Sequence, residues 1–291
     1  MSCKKVAYNK HLLAYIDIMG YKNMVKDAEL GKTNPVETIR NLERTVKKCI
    51  KDHINGFKKI TSMGSVKNTI DYVIFSDCIC IWAPLIQLQN KEINYSYSSD
   101  YTDEYVDRNY EMLCLFILMI LDIQMLSLRF GIIFRGAISV GNHYKSRNVM
   151  FSNALVKAYS AETNYANYPR IIIDNKTQND FLNLHSVSNG LIDCGLALRD
   201  DDIIFIDYLG RINNMRHMSN DFTKKYLDYH KRIIEDNLVG YYNNETVLAK
   251  YSWLAKYHNY KLLPSFKNMK IEGVILETVM TNFNNILNLS L

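Results

Sequence analysis

The chain has 291 residues, 48% of them hydrophobic, with 12 glycines against 4 prolines, which is enough for a large buried core and excludes collagen-like or low-complexity architectures. Its formal net charge of +5 and pI near 8.7 tolerate a polyanionic ligand. Without a Lys/Arg block they argue against a nucleic-acid track. The 6 cysteines are scattered; only Cys78 and Cys80 are close and no second pair completes a zinc site, so buried reduced thiols of a cytosolic protein are expected.

The opening "MSCKKVAYNKHLLAYIDIMG" sets basic residues before apolar ones, as a signal peptide does. Asp17 interrupts the apolar run and no small-residue cleavage site follows, so a cytoplasmic protein without a secretory leader is expected. "HLLAYIDIM" is β-rich and predicts a strand ending near Asp17. "NPVETIRNLERTVKKCIKDHI" has helical periodicity, with Val36, Ile39, Leu42, Val46 and Ile50 on one face. "TIDYVIFSDCICIWAPL" is two apolar runs divided by Ser76 and Asp77, which predicts a hairpin despite an uncommon turn dipeptide. The polar "NKEINYSYSSDYTDEY" predicts an exposed loop before a buried helix over 110–128. The longest apolar run, 112–121, falls far short of the roughly 20 residues of a membrane span, so it is expected in the core and no membrane is implied.

"FGIIFRGAISVG" predicts a central strand carrying Arg135, followed by a polar turn over 142–148 and a helix over "NALVKAYSAETNYA". "YPRIIID" predicts a short strand with Pro169 at its start, where a missing N–H is tolerated. This order predicts an α+β protein with helices packed on a mainly antiparallel sheet. From about Lys176 onward the sequence predicts a strand over "DIIFIDYL" and helices near 221–238 and 244–260. The last carries Val247, Leu248, Tyr251, Leu254, Ala255 and His258 at helical spacing; this stripe serves core packing or, less commonly, a partner surface.

Asp17 and Asp77 both follow β-rich apolar runs, so both carboxylates fall at strand ends or turns. If the strands are neighbours, the two converge, and a hard divalent cation relieves their repulsion. The alternatives are a helix cap for Asp17 and an ordinary turn aspartate for Asp77. Arg135 within a strand needs an anion, either a neighbouring carboxylate or a ligand. His143, Lys145 and Arg147 are candidate phosphate contacts or a solvated turn, and Asp200, Asp201 and Asp202 a cation site or an exposed turn. The 7 histidines show no metal spacing, and no Gly-Lys-Ser phosphate loop or dinucleotide fingerprint is present.

Five segments in order, covering about Leu12 to Asp174, resemble class III nucleotidyl cyclase catalytic domains. "YIDIMGY" resembles the family's opening F-x-D-I-x-G-F element, "VIFSDCICI" its metal-binding hairpin and "FRGAISVG" its R-x-G-I-x-x-G strand. "MFSNALVKAYSAE" and "PRIIID" resemble the helix and strand that follow. The resemblance implies a ferredoxin-like, palm-type core over 1–175 and leaves 176–291 as a helix-rich C-terminal extension packed on it. It implies two Mg²⁺ or Mn²⁺ ions held by Asp17, Asp77 and the Ile18 carbonyl, with amides around Met19, Gly20, Tyr21 and Lys22 cradling a triphosphate. Ser76 and Asn153 become substrate contacts, and Arg135 and Lys157 candidate catalytic cations. The substrate would be a nucleoside triphosphate, the product a 3′,5′-cyclic nucleotide, and the active assembly a homodimer with its site between two domains.

The sequence departs from the family at the transition-state groups. Ser76 replaces the glycine before the second metal aspartate, and Val73 the base-contacting lysine. Aligned on Ala158 and Glu162, Val156 replaces the transition-state asparagine and Ser160 the arginine. Loss of such a donor typically costs about 10²–10³ in rate. A catalytically degenerate nucleotide sensor or scaffold is therefore the alternative to an enzyme.

Overall fold

Strand β1 (Asn9–Ile18) alternates between two covered faces. Leu12, Ala14, Ile16 and Ile18 join the main core, and Leu13 and Tyr15 a smaller cluster on the opposite side. A strand apolar on both faces belongs in the middle of a sheet. In the computed structural model, which describes residues 8–61, 70–85, 99–177, 190–215 and 219–272, β1 pairs antiparallel with β3 (Cys78–Pro84) and β4 (Phe134–Ser146). The expected hairpin joins β2 (Asp71–Phe75) to β3 through Ser76 and Asp77. The sheet runs β2-β3-β1-β4-β6-β8-β7, with β5 (Val149–Ser152) paired to β4. Only β4 and β6 (Ile171–Ile173) run parallel among the described pairings, joined by a crossover through α4 (Asn153–Tyr165). The fold is α+β with a mostly antiparallel sheet, as predicted.

Helix α1 (Tyr21–Glu29) follows β1 directly. Helices α2 (Pro35–Thr61) and α3 (Ser99–Ser127) supply Leu42, Val46, Met112, Phe116 and Ile120 to the core cluster that holds the even-numbered side of β1. Helix α4 covers the other face, where Ala154 and Ala158 pack with Leu13, Cys80 and Trp82. The approach is close: a Cβ at Gly141 of β4 would lie 2.7 Å from the Ala154 nitrogen. Ser152 caps α4 by accepting from the Leu155 N–H at 3.0 Å.

Several boundaries differ from expectation. Helix α3 begins at Ser99, inside the polar tyrosine-rich stretch expected as loop, and 86–98 lie outside the described residues. Arg108–Phe130 is long and apolar enough to cross a membrane, longer than the continuous run suggested, because isolated charges do not break the helix. Its most apolar window is 67% buried within the protein, as befits a core helix apolar all round. The turn expected over 142–148 is mostly strand, and β4 extends to Ser146 and pairs with β5.

The C-terminal stretch continues the same sheet. Strand β8 (Ile203–Ile206) pairs with β6 and with β7 (Ala197–Asp200). The strand expected over "DIIFIDYL" stops at Ile206 because Asp207 accepts the Gly210 N–H at 2.8 Å and starts α5 (Tyr208–Asn214). Ser219 and Asn244 cap α6 (Asn220–Gly240) and α7 (Glu245–Lys261) in the same way.

Candidate functional site at one end of the central strands

The register brings the predicted aspartates to one pole of the sheet. Asp17 stands opposite Cys78 on one side and Arg135 on the other. Asp77 occupies the turn before β3, and its carbonyl accepts the Ile18 N–H at 2.7 Å, tying the hairpin to the end of β1. Both line a cavity of about 240 Å³ together with Arg135 and the turn from Ile18 to Asn23. Asp17 does not cap the helix that follows. The N-cap of α1 is Gly20, in the left-handed region at φ 76°, with no side-chain cap bond.

Arg135 is held by two carboxylates. Its guanidinium lies 3.6 Å from Asp17 Oδ2 and pairs more closely with Glu162, which α4 buries against the sheet at 3% exposure. Its Nε has no hydrogen-bond partner among the described residues. Burial pushes the Asp17 carboxyl up to about 6. Arg135 opposes this, the negative charges of Glu162 and Asp77 add to it, and Lys250 opposes it weakly. Tyr15, on the same face of β1, is raised by burial and then by Cys78, Asp17, Glu162 and Asp77.

The C-terminal helices, expected only as an extension packed on the core, close this cavity. Asn237 of α6, Tyr241 after it, and Val247, Lys250 and Tyr251 of α7 complete the lining. Asn23 Nδ2 donates to Tyr241 Oη at 2.5 Å, linking α1 to the α6–α7 connection. The Lys250 ammonium is lowered from its usual range by burial and by Arg135, against the opposing pull of Asp17 and Glu162. One signal was present: Lys250 interrupts the apolar stripe three residues after Val247 and four before Leu254.

Of the other predicted site residues, Ile18, Met19, Gly20, Tyr21 and Lys22 line the cavity, whereas Ser76, Asn153 and Lys157 do not. The Met19 amide cannot serve a phosphate as expected, because it already donates to the Ile133 carbonyl at 3.0 Å. Lys157 Nζ donates to the Val140 carbonyl at 3.1 Å, on a part of β4 removed from Arg135. His143 and Lys145 sit at the far end of β4, with His143 2% exposed rather than in a solvated turn, whereas Arg147 lies in the exposed turn that follows, as the alternative reading expects. Asp200 is not a cation ligand but the buried partner of Arg170, at 2.5 Å. Among the described residues no group of three or more His, Cys, Asp or Glu gathers as a metal site.

No family model and no curated protein matches the chain. Solved structures match, among them the crystal structure of the guanylyl cyclase Cya2, at 11% identity over 69% of this chain and 92% of that one. The TM-score is 0.27, an overlap that bears on neither fold family nor function.

Proposed function

We propose that this protein is a divergent, metal-dependent nucleotidyl cyclase-like enzyme, a cytosolic homodimer that converts a nucleoside triphosphate to a cyclic nucleotide and pyrophosphate. One observation carries the reading: Asp17, Asp77 and the turn opening α1 line a single cavity. The donor chemistry fits a hard divalent ion. Two carboxylates from different elements face one space, and burial and like charge hold Asp17 up to about 6, a cost that a cation would remove. With only two carboxylates, the remaining ligands would be backbone carbonyl, phosphate and water oxygens, as Mg²⁺ favours. Bound there, two Mg²⁺ or Mn²⁺ ions supply activation of the ribose 3′-hydroxyl and neutralisation of the leaving pyrophosphate.

The chain's own groups divide the remaining work. The amides of Ile18 and Met19 are spent on the Asp77 and Ile133 carbonyls. This leaves Gly20, Tyr21 and Lys22 at the start of α1 to face a phosphate with N–H groups that have no partner among the described residues and with the positive end of the helix dipole. Arg135, gripped by Asp17 and Glu162, fixes the side chain of the first metal aspartate. The palm-type, ferredoxin-like description of the core belongs to this same proposal.

Helix α4 favours a second reading. It buries Ala154, Ala158, Ala161 and Glu162, leaves Val156 64% exposed, and sends no donor from position 156 or 160 into the cavity of its own chain. A nucleotide sensor without turnover would have this property. Incubating the protein with each of the four triphosphates and Mn²⁺, and resolving products by mass, separates the two. A cyclic product lost in Asp17→Ala supports the enzyme; tight binding without product supports the sensor. No turnover, with binding unchanged in Asp17→Ala, removes the metal site altogether.

A further inference from the structure

Helix α7 approaches the cavity with its first two turns. Tyr251 and Leu254 are buried in the main core, at 7% and 0% exposure, and they fix the rotation of the helix. Val247 and Lys250 are thereby turned onto the cavity wall. The buried and half-buried arginines near the sheet are paired, Arg135 with Asp17 and Glu162, Arg170 with Asp200 and Arg211 with Asp122, whereas the buried ammonium of Lys256 has no partner among the described residues but does not line the cavity. Lys250 lies close enough to Asp17, Glu162 and Arg135 to feel their charges, yet has no ion-pair partner among the described residues. An ammonium drawn partly out of water beside a guanidinium is unfavourable unless an anion completes it. Arg135 is already committed to two carboxylates and Lys22 is exposed, which leaves Lys250, among the described residues lining the cavity, as the half-buried cation that can take a new anion.

We propose that Lys250 binds a phosphate oxygen of the triphosphate, so that the C-terminal region completes the substrate site from within the same chain. The inference rests on the nucleotide reading above and adds the residue that replaces a cation missing from α4. The position favours phosphate over base, because Lys250 shares the cavity with both metal aspartates and the start of α1. A compact, rotatable ammonium suits a phosphate as a point charge. The Asn23–Tyr241 bond fastens the turn before α7 to α1, so both phosphate-facing elements are held in one piece.

Calorimetric titration of the full chain tests this, using inorganic tripolyphosphate and each nucleoside triphosphate in the presence of Mn²⁺. Lys250→Met is expected to weaken tripolyphosphate and nucleotide alike by about tenfold or more, and Lys250→Arg to retain most of the affinity. The loss should shrink as salt rises, which a packing defect would not do. Wild-type affinity for tripolyphosphate in Lys250→Met overturns the proposal, as does a loss confined to the nucleotide, which would put Lys250 on the base or sugar. Lys250→Gln serves as the second variant if the Met variant melts early. If wild-type protein binds no triphosphate, the nucleotide reading itself fails. If binding falls in Asp17→Ala but not in Lys250→Met, only the assignment of Lys250 fails.

Discussion

Beneath the C-terminal helices, Tyr208, His230 and His258 form a buried chain of hydrogen bonds whose direction can be read from one end. His258 Nε2 faces the Met269 carbonyl at 3.2 Å, and a carbonyl only accepts, so that nitrogen carries the proton. The neutral ring then accepts at Nδ1 from His230 Nδ1–H at 2.9 Å, and His230 Nε2 accepts from the Tyr208 hydroxyl at 2.7 Å. Nearby, Asp207 accepts from Gly210 and Tyr257 and pairs with Lys261 at 2.6 Å. The cavity at the other cluster is unfinished by comparison. Asp17 is pushed up to about 6, Arg135 Nε has no partner among the described residues, and Lys250 no ion pair. Polar groups that satisfy one another hold a fold together, whereas polar groups left unsatisfied around a cavity mark a candidate site.

The largest test of this contrast is Asp207→Ala. It strands the Gly210 N–H, the Tyr257 hydroxyl and the Lys261 ammonium, and should destabilise the protein by about 3–5 kcal/mol in urea unfolding. Asp17→Asn should do the opposite at pH 8. It removes a carboxylate whose ionisation the folded state disfavours, and should gain about 1–3 kcal/mol while abolishing Mn²⁺-dependent triphosphate binding. A destabilised Asp17→Asn protein would mean that the Asp17–Arg135 contact is structural.

The two regions also respond to acid with opposite signs. Burial lowers His258 to about 4 and His230 well below its usual value, so the unfolded chain takes up protons first. Their stabilisation is complete above about 6.5; that of His258 is lost as pH falls toward 4, and His230 adds a loss of the same sign, at up to about 1.4 kcal/mol per pH unit for each ring. For Asp17 the folded value lies above the unfolded one, so its penalty is full above about 6 and vanishes below about 4. Unfolding free energy followed from pH 7 to 4 should therefore decline more steeply in Asp17→Asn than in wild type. Parallel slopes would place Asp17 in an ordinary solvated environment.

What the sequence made legible follows the range of the interactions involved. β1, the β2–β3 hairpin, α4, α6 and α7 could be read because alternation and helical periodicity are local signals. The pairing of Asp17 with Asp77 was legible through two strand ends. Glu162 as the partner of Arg135 depends on α4 crossing the sheet, and Lys250 on the cavity wall depends on α7 returning to its end; the break Lys250 makes in the apolar stripe marks the residue but not the wall it faces. The start of α3 was missed because a polar, tyrosine-rich stretch resembles a loop until the apolar run it feeds is seen to be one helix with it.

The smallest effect lies in the turn that joins β2 to β3, next to Asp77. Ser76 takes φ +54° as the first residue of the turn, where a side chain costs about 1 kcal/mol that glycine avoids. Glycine also loosens the unfolded chain, by about 0.4–1 kcal/mol, so Ser76→Gly should gain about 0.5 kcal/mol or less, near 1–2 °C in melting temperature. Its value is as a control on the site. Ser76 does not line the cavity, whereas its neighbour Asp77 does, so relieving the turn should leave Mn²⁺–triphosphate affinity within about twofold of wild type. A larger drop would make the Ser76 hydroxyl a substrate contact after all, reached only when the hairpin closes onto a bound nucleotide.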